Sequence, residues 1–542
     1  MLDQFDYIVV GGGTAGSILT NRLSTDGASV CLLEAGPEDY HPLIHIPAGY
    51  IKNIYSRRLT WNFMSTPTPH TANRAFSLPQ GHVLGGSSSI NGLNYVRGQR
   101  SDYDHWAQFG NKGWSYADVL PYFMRSERRI GRGDDRVRGR DGELPITDLD
   151  LIHPICEAFI DGAKTLGIPR NPDYNSGDQA GTGYFQRTIH KGYRYSAARA
   201  FLRPARKRPH VDVRTSAQTA EIVFESKRAV GVRYARGRRG GALTEIRARK
   251  EVILCAGALN TPKLLQLSEI GPEALLRHRG IELLADLPGV GNNLKDHYGV
   301  RMVAHLQGVR TLNSMAQGPP LGLEIAKWLV GKPSVLSISP SLAHLFWKSA
   351  PELDAPDLEY VFTPASFREG VVGLLDTSPG MTLGVWQTRP ESKGYVKIVS
   401  RDIFDHPEIN PNYLALERDQ RVLLRSMRLG RELLSTTPLQ PFLEGRMNPP
   451  CDLQTDDELL DWARQNGITA YHMIGTARMG PDHDSEAVVD NELRVRCIEG
   501  LRVADASIMP AMPSSNTNAP TMMIAEKASD MILGKTLQPV EI

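Results

Sequence analysis

The sequence predicts an α/β fold of the Rossmann-like, doubly wound kind, with an interleaved domain built on an antiparallel sheet plus helices. Phe5–Val10 is an apolar, β-branched run that ends in glycines, as a buried parallel strand does. A helix over Thr14–Leu23 and a strand over Ser29–Glu34 complete an N-terminal βαβ unit. The middle third, roughly Tyr298–Pro450, has alternating strand-like runs and no glycine fingerprint, which predicts a separate sheet.

Later segments extend both parts. Glu251–Cys255 is predicted as another buried strand, and the helix after it is expected to begin near Thr261–Pro262, because proline is favoured in the first helical turn. Leu358–Thr363 and Met381–Thr388 are the clearest strand candidates of the middle third.

Composition and charge exclude several classes of protein. The chain has 542 residues, of which 41% are hydrophobic and 23% are charged, so it is neither disordered nor fibrous. A formal net charge of +2 is too balanced for a protein that coats nucleic acid. Two arginine-rich stretches, Arg125–Arg140 and Arg236–Lys250, are therefore expected to be solvated loops or hairpin tips.

Cysteine usage and the N-terminus bear on the compartment. The five dispersed cysteines include no C-x-x-C pair, so we expect no disulfide framework and no metal site, and a reducing compartment is favoured. The N-terminus lacks the basic start and long apolar stretch of a secretory signal, and no apolar run is long enough for a transmembrane helix. We expect a cytoplasmic protein, with peripheral contact to the inner membrane left open.

A glycine-rich loop joins the first strand to the first helix. Gly11–Gly16 reads GGGTAG, a G-x-G-x-x-G pattern that permits a tight turn, close approach of a pyrophosphate and close packing of helix on strand. Thr14 and Ala15 begin the helix, whose N-terminus stabilises phosphate charge. Glu34 ends the second strand, where an acid binds ribose hydroxyls. The pattern predicts a dinucleotide and leaves NAD and FAD open.

Five further segments resemble one family. Gly81–Asn91 (GHVLGGSSSIN) and Gly257–Gly271 (GALNTPKLLQLSEIG) are similar to the two signature runs of the glucose–methanol–choline (GMC) family of FAD-dependent oxidoreductases. Gly289–His297, Tyr471–Thr476 and Asp505–Thr521 resemble the same family in order and spacing. The chain is thus identified as a member of the GMC family, most similar to its bacterial alcohol and choline dehydrogenases.

The resemblance implies a GMC fold with a discontinuous FAD-binding domain over residues 1–145, 195–297 and 452–542. The substrate-binding domain would take residues 146–194 and 298–451. The residues implied to contact FAD are Gly11, Gly13, Thr14, Ala15, Gly16, Glu34, Gly86, Ser87, Asn91, Asn94, Tyr95, Val96, Ala220 through its backbone, Asp505 and Ala506.

Four positions depart from the family pattern. Ile90 stands where some members carry a histidine joined to the flavin, so FAD is expected to bind non-covalently. His82 replaces the usual arginine or lysine, and Glu269 replaces a signature glycine. Met473 replaces the proline that commonly follows the catalytic histidine.

The family's catalytic pair matches His472 and Asn518. Histidine suits a general base because its unperturbed pKa of about 6.5 lies near working pH. Asn518 would hydrogen-bond the same substrate oxygen without titrating, and Asn516 is the neighbouring candidate if the register is two residues off. Tyr471 is expected to wall the substrate cavity, whereas His297 is expected to be structural.

The resemblance implies FAD-dependent oxidation of an apolar, benzylic or aliphatic primary alcohol to the aldehyde. His472 would take the hydroxyl proton, flavin N5 the hydride, and O₂ or a quinone-type acceptor the electrons. The alternatives are a choline dehydrogenase, a hydroxynitrile lyase-like enzyme on the same fold, a flavoprotein that binds or senses without turnover, and a nicotinamide-dependent dehydrogenase. No acidic, aromatic-lined pocket for choline is evident in the sequence.

Overall fold

The computed structural model describes residues 3–237, 239–368 and 374–540. Within them, the first of two large sheets has seven strands. Its parallel strands, taken across the sheet, are Val211–Arg214, Val30–Leu33, Asp3–Val10, Leu243–Leu254 and Leu501–Val503. In chain order these are the third, second, first, fourth and fifth, which is the order of a doubly wound Rossmann-like sheet. Arg228–Arg236 and Ala217–Glu225 extend it in antiparallel fashion.

The second large sheet is antiparallel throughout. Across it lie Leu443–Asn448, Tyr298–Leu306, Gly380–Gln387, Leu358–Thr363, Ala343–Trp347 and Gly181–Tyr184, with Ile468–Thr469 beside Tyr298–Leu306. The shorter strand groups are Phe63–Met64 with Ser77–Leu78, Glu127–Ile130 with Leu144–Thr147, Ile189–His190 with Tyr193–Arg194, Ile270–Gly271 with Ala285–Asp286, and Asn292–Leu294 with Gly394–Lys397 and Glu408–Asn410.

The α-helices cover both sheets. They are Thr14–Leu23, Pro42–His45, Tyr50–Asn53, Arg100–Gln108, Tyr116–Ser126, Pro154–Thr165, Arg203–Ala205, Gly257–Leu267, Glu273–His278, Leu312–Met315, Gly318–Leu329, Glu417–Leu434, Asp456–Asn466 and Asn518–Leu533. The first and last of these helices share one hydrophobic core with the first sheet. No helix in the described ranges is long and apolar enough to cross a bilayer.

The expected βαβ unit is present, but the helix after the fourth parallel strand begins earlier than expected. It spans Gly257–Leu267, so Pro262 lies inside it rather than in its first turn. Proline has no N–H to donate to the carbonyl of Ala258 four residues earlier. The hydroxyl of Thr476 donates to that carbonyl instead, at 2.6 Å. A distant side chain thus replaces the missing bond.

The expectation of solvated arginines over Arg125–Arg140 was wrong for two of them. Arg129 and Arg138 are buried, and Arg138 pairs with the fully buried Glu127. Arg138 also pairs with Asp173, a carboxylate from a distant segment. Because these partners compensate the charge, the arginines can be buried. In the second stretch Leu243–Leu254 is a strand, and Arg238 lies outside the described residues.

The proposed domain division stays a prediction. The two sheets draw on separate parts of the chain, as the division requires. One short strand differs: Ile468–Thr469 falls in the range assigned to the FAD-binding domain, yet it pairs with Tyr298–Gly299 of the second sheet.

Candidate active site

A cavity of about 420 Å³ lies where the carboxyl ends of the parallel strands face the second sheet. A doubly wound sheet binds its ligands at this edge, where the strand order reverses. The cavity runs from the glycine loop and Glu34 to His472 and Asn516. The predicted dinucleotide motif and the predicted base therefore open into the same space.

The glycine loop is packed too closely for side chains. A Cβ on Gly16 would lie 1.9 Å from the carbonyl oxygen of Gly11, and one on Gly86 would lie 2.7 Å from the Cα of Gly13. The Glu34 carboxylate accepts hydrogen bonds from the amides of Gly12 at 2.8 Å and Gly36 at 2.7 Å. Burial raises the pKa of Glu34 to about 7, against these two bonds.

Most of the residues implied to contact FAD line this cavity. They are Gly11, Gly13, Thr14, Ala15, Glu34, Gly86, Ser87, Asn91, Asn94, Asp505 and Ala506. Four do not. Gly16 faces Gly11, Tyr95 is buried with its hydroxyl accepting from Arg97 at 3.3 Å, and Val96 packs in a separate apolar cluster. Ala220 sits at a bulge in its strand, and Ala217–Thr219 line the cavity instead.

The cavity fits an extended dinucleotide such as FAD. The N-termini of helices Thr14–Leu23 and Asn518–Leu533 both face it, and unpaired amides there favour phosphate or other anionic oxygens. The Thr14 hydroxyl donates to Oδ1 of Asn518 at 2.8 Å, which joins the two helix starts. Ile90 lines the cavity and has no nucleophilic atom, which is compatible with the predicted non-covalent binding of FAD.

At the other end, two histidines and a carbonyl form a chain of hydrogen bonds. Nδ1 of His472 lies 2.9 Å from Nδ1 of His297, and Nε2 of His297 lies 2.7 Å from the carbonyl oxygen of Thr388. Nε2 of His472 lies 3.0 Å from Nδ2 of Asn516. His297, expected to be structural, is therefore in direct contact with the predicted base.

This series of hydrogen bonds determines which nitrogen of each histidine ring carries a hydrogen. A carbonyl only accepts, so Nε2 of His297 carries a hydrogen. Burial lowers the pKa of His297 to about 4, so the ring is neutral and its Nδ1 is an acceptor. Nδ1 of His472 must then be the donor. Burial, helped by the neighbouring His297, holds the pKa of His472 well below 6.5, which leaves its Nε2 unprotonated, with a lone pair that accepts from Asn516.

The pairing of His472 with Asn518 is corrected to a pairing with Asn516. Asp102 accepts from the amide of Ser514 at 2.8 Å and from its hydroxyl at 2.9 Å, which fixes the loop before the last helix. The loop points Asn516 at His472, whereas Asn518 begins the helix and bonds Thr14. Asn518 still lines the cavity, on the side of the glycine loop.

Asp296 holds the two histidine backbones together. Its Oδ1 accepts from the amide of His297 at 2.8 Å and from the amide of His472 at 2.6 Å. Its Oδ2 accepts from the hydroxyls of Tyr413 and Thr469. Sequence reasoning gave Asp296 no role, although its place beside His297 in a family-like segment was a usable signal.

Aromatic and apolar groups surround the base. Tyr471 lines the cavity, as expected, and the ring of Trp386 lies 6.1 Å from that of His472. Met473 is buried in the core of the second sheet.

The other two departures also have a place. His82 packs on Trp61 at 4.4 Å between ring centroids, and Trp61 lines the cavity. Glu269 has φ +68°, a left-handed backbone conformation that glycine adopts without strain.

Comparisons with known proteins agree over nearly the whole chain. Two family models described as GMC oxidoreductase match residues 5–299 and 390–525. The oxygen-dependent choline dehydrogenase of Brucella ovis is 41% identical, over 98% of this chain and 96% of that protein. Pyridoxine 4-oxidase from Mesorbium loti has a TM-score of 0.86 at 30% identity, covering 97% of this chain and 98% of its own. A formate oxidase variant from Aspergillus oryzae RIB40 has a TM-score of 0.90 at 26% identity, with 98% coverage of both.

Proposed function

Because the chain belongs to the GMC oxidoreductase family, we propose that it oxidises a primary alcohol to the aldehyde with His472 as the base. The chain is an FAD-dependent oxidoreductase that acts on CH–OH donors. The observation that carries the proposal is the unprotonated Nε2 of His472, which faces the cavity 3.0 Å from Nδ2 of Asn516.

His472 and Asn516 would have different roles at the alcohol oxygen. Nε2 of His472 accepts the hydroxyl proton, while its Nδ1–H stays bonded to His297. Without substrate, the lone pair on Nε2 accepts from the Asn516 amide; the alcohol hydroxyl would replace that bond, which frees the amide hydrogens for the substrate oxygen as negative charge develops there. When bound, FAD supplies the acceptor for the hydride that leaves the carbon.

The cofactor end has its own assignments. Glu34 would hold the ribose hydroxyls, and the amides at the start of Thr14–Leu23 would hold the pyrophosphate. Asn518, bonded to Thr14, would steady the last helix beside the flavin rather than touch the alcohol. The final acceptor of the electrons, O₂ or a quinone-type carrier, is read from the rate at which air reoxidises the reduced protein.

A second candidate function is oxidation of choline. The identity of 41% to choline dehydrogenases favours it. A quaternary ammonium group is bound by aromatic faces, such as that of Trp386, together with negative charge. The charge that lines this end of the cavity has the opposite sign, as described below, so choline ranks second.

The proposal is tested by anaerobic bleaching of the flavin with aliphatic, benzylic and choline-type alcohols. His472→Ala should slow bleaching by about 10²- to 10⁴-fold while FAD stays bound. The matched control is His278→Ala, which removes an exposed histidine outside the cavity and should change nothing. Bleaching at the wild-type rate by His472→Ala would overturn the assignment, and absence of bleaching by every alcohol would overturn the reaction.

A further inference from the structure

Arg301 lies on the cavity side of the second sheet, close to the predicted base. Arg301 pairs with Gly384 on the neighbouring strand, and Gly299 pairs with Trp386. Side chains two residues apart on a strand share a face about 7 Å apart. All four residues line the cavity, and Trp386 contacts His472. The space beside the arginine is that of the cavity itself, because a Cβ on Gly384 would already meet Cγ2 of Val361 at 2.8 Å.

The guanidinium of Arg301 has no counter-charge in the part of the chain that the structure describes. No ion pair or hydrogen bond joins it to another described residue, and its contact is the ring of Phe367, 5.4 Å from Cζ. Glu359, opposite Trp386 on the next strand, is fully buried without a hydrogen bond. Burial raises the pKa of Glu359 to about 8, so it is uncharged at neutral pH.

The other charged groups that line the cavity are engaged elsewhere. Glu34 is held by amides of the glycine loop region. Asp505 accepts from the Gly257 amide at 2.8 Å and from the Thr261 hydroxyl at 2.6 Å. Lys263 donates to two backbone carbonyls. A half-buried guanidinium that no described residue pairs with, in a largely apolar cavity, favours binding of an anion.

Two phenols line the same cavity within electrostatic reach of the arginine. Burial raises the pKa of Tyr471 to about 12 and that of Tyr50 further still, and in both the charge of Arg301 acts against this rise. Both hydroxyls are therefore protonated at neutral pH, and neither makes a hydrogen bond to another residue in the described ranges. An anion beside Arg301 could accept from them as well.

We propose that Arg301, with Tyr50 and Tyr471, forms an anion subsite and that the preferred substrate is an aromatic primary alcohol that carries a carboxylate. The carboxylate would bind the planar guanidinium as its natural partner, while the ring packs near Trp386 and the hydroxyl reaches His472. This substrate class rests on the proposed alcohol oxidation, but the subsite itself does not. The same positive charge disfavours choline.

Binding of molecules that cannot be oxidised tests the subsite without turnover. The FAD-loaded protein is titrated with 4-methylbenzoate and with the neutral 4-methylbenzamide, and the flavin absorbance is followed. A hydrogen-bonded charge pair should make 4-methylbenzoate bind about 10- to 100-fold more tightly. Arg301→Gln should abolish this preference and Arg301→Lys should keep part of it. Arg132→Gln, the same charge change at an exposed site, should leave it intact.

Equal affinity for the two molecules, or a preference that survives in Arg301→Gln, would overturn the subsite. Glu369 lies outside the described residues, so Glu369→Gln is included. If only that variant preferred 4-methylbenzoate, the guanidinium would already be paired and the proposal would be wrong. The kcat/KM for bleaching should be higher for 4-(hydroxymethyl)benzoate than for 4-methylbenzyl alcohol, by the same factor of about 10 to 100. If neither alcohol bleached the flavin while the Arg301-dependent preference remained, the subsite would stand and the proposed reaction would fall.

Discussion

Replacement of His297 by leucine tests whether the histidine pair sets the reactive nitrogen of the base. In the wild type, Nδ1 of His297 accepts the hydrogen on Nδ1 of His472, at 2.9 Å. That bond favours the tautomer of His472 whose Nε2 carries no hydrogen. His297→Leu removes the acceptor in a fully buried site and leaves the Nδ1–H without a partner. The alternative tautomer, which carries its hydrogen on Nε2, cannot take a proton from an alcohol.

The size of the effect follows from the lost bond. A buried donor left unpaired costs about 1–3 kcal/mol, and each 1.4 kcal/mol is about tenfold in an equilibrium. The reactive tautomer is therefore disfavoured by about 5- to 150-fold in His297→Leu. His297→Gln can accept from His472 through its carbonyl oxygen and donate to Thr388 through its amide. This variant should stay within about tenfold of the wild type.

The assay is the single-turnover rate of anaerobic flavin reduction at saturating alcohol, with FAD content and thermal midpoint measured on each variant. His344→Leu is the matched control, because the His344 ring is fully buried yet makes no hydrogen bond in the described ranges. It should reduce at the wild-type rate. A folded, FAD-loaded His297→Leu protein that also reduces at that rate would refute the tautomer argument. So would a His297→Gln variant as slow as His297→Leu.

Four other predictions follow from the same contacts. Burial lowers the pKa of His472 and the base must be neutral, so kcat/KM should decrease on acidification with a midpoint below pH 6.5. A midpoint at or above pH 6.5 would contradict the burial argument. Asn516→Ala should slow flavin reduction by about 10- to 100-fold with FAD retained, whereas Asn518→Ala should weaken FAD binding more than it slows reduction, and the reverse pattern would restore Asn518 to the alcohol. Burial raises the pKa of Glu359 to about 8, against 4.5 in the unfolded chain, so this residue lowers the stability of the folded protein as pH rises between these values. Glu359→Gln should therefore raise the thermal midpoint at pH 9 and not at pH 4.5. Equal shifts at both pH values would count against this argument. Acid precipitation should release all the flavin, because Ile90 offers no atom for a covalent bond, and flavin in the pellet would show otherwise.

The nucleotide end of the site was readable because its information is local. The run Gly11–Gly16 and Glu34 lie within one βαβ unit, and the helix Thr14–Leu23 has the bounds expected from the pattern. A strand that ends in glycines before a helix allows few backbone paths. Ala220, the residue named on the strand Ala217–Glu225, sits at a bulge and does not line the cavity, whereas Ala217–Thr219 do, so its contact with FAD stays a prediction. Such an irregularity leaves no signal in the local pattern.

The chemical end depended on packing between distant segments. The sequence alone predicted a dinucleotide-binding α/β chain and, through its resemblance, proposed His472 as the base. It could not establish the partner of that base, because Asn516 and Asn518 share one turn-prone stretch and only the anchoring of Ser514 by Asp102 decides which one turns inward. His297 lies 175 residues before His472 in the chain, so their contact exists only once Ile468–Thr469 pairs with Tyr298–Gly299 in the second sheet. That Arg301 has no counter-charge among the described residues has the same origin, since a side chain is paired or unpaired only according to what the folded chain brings beside it.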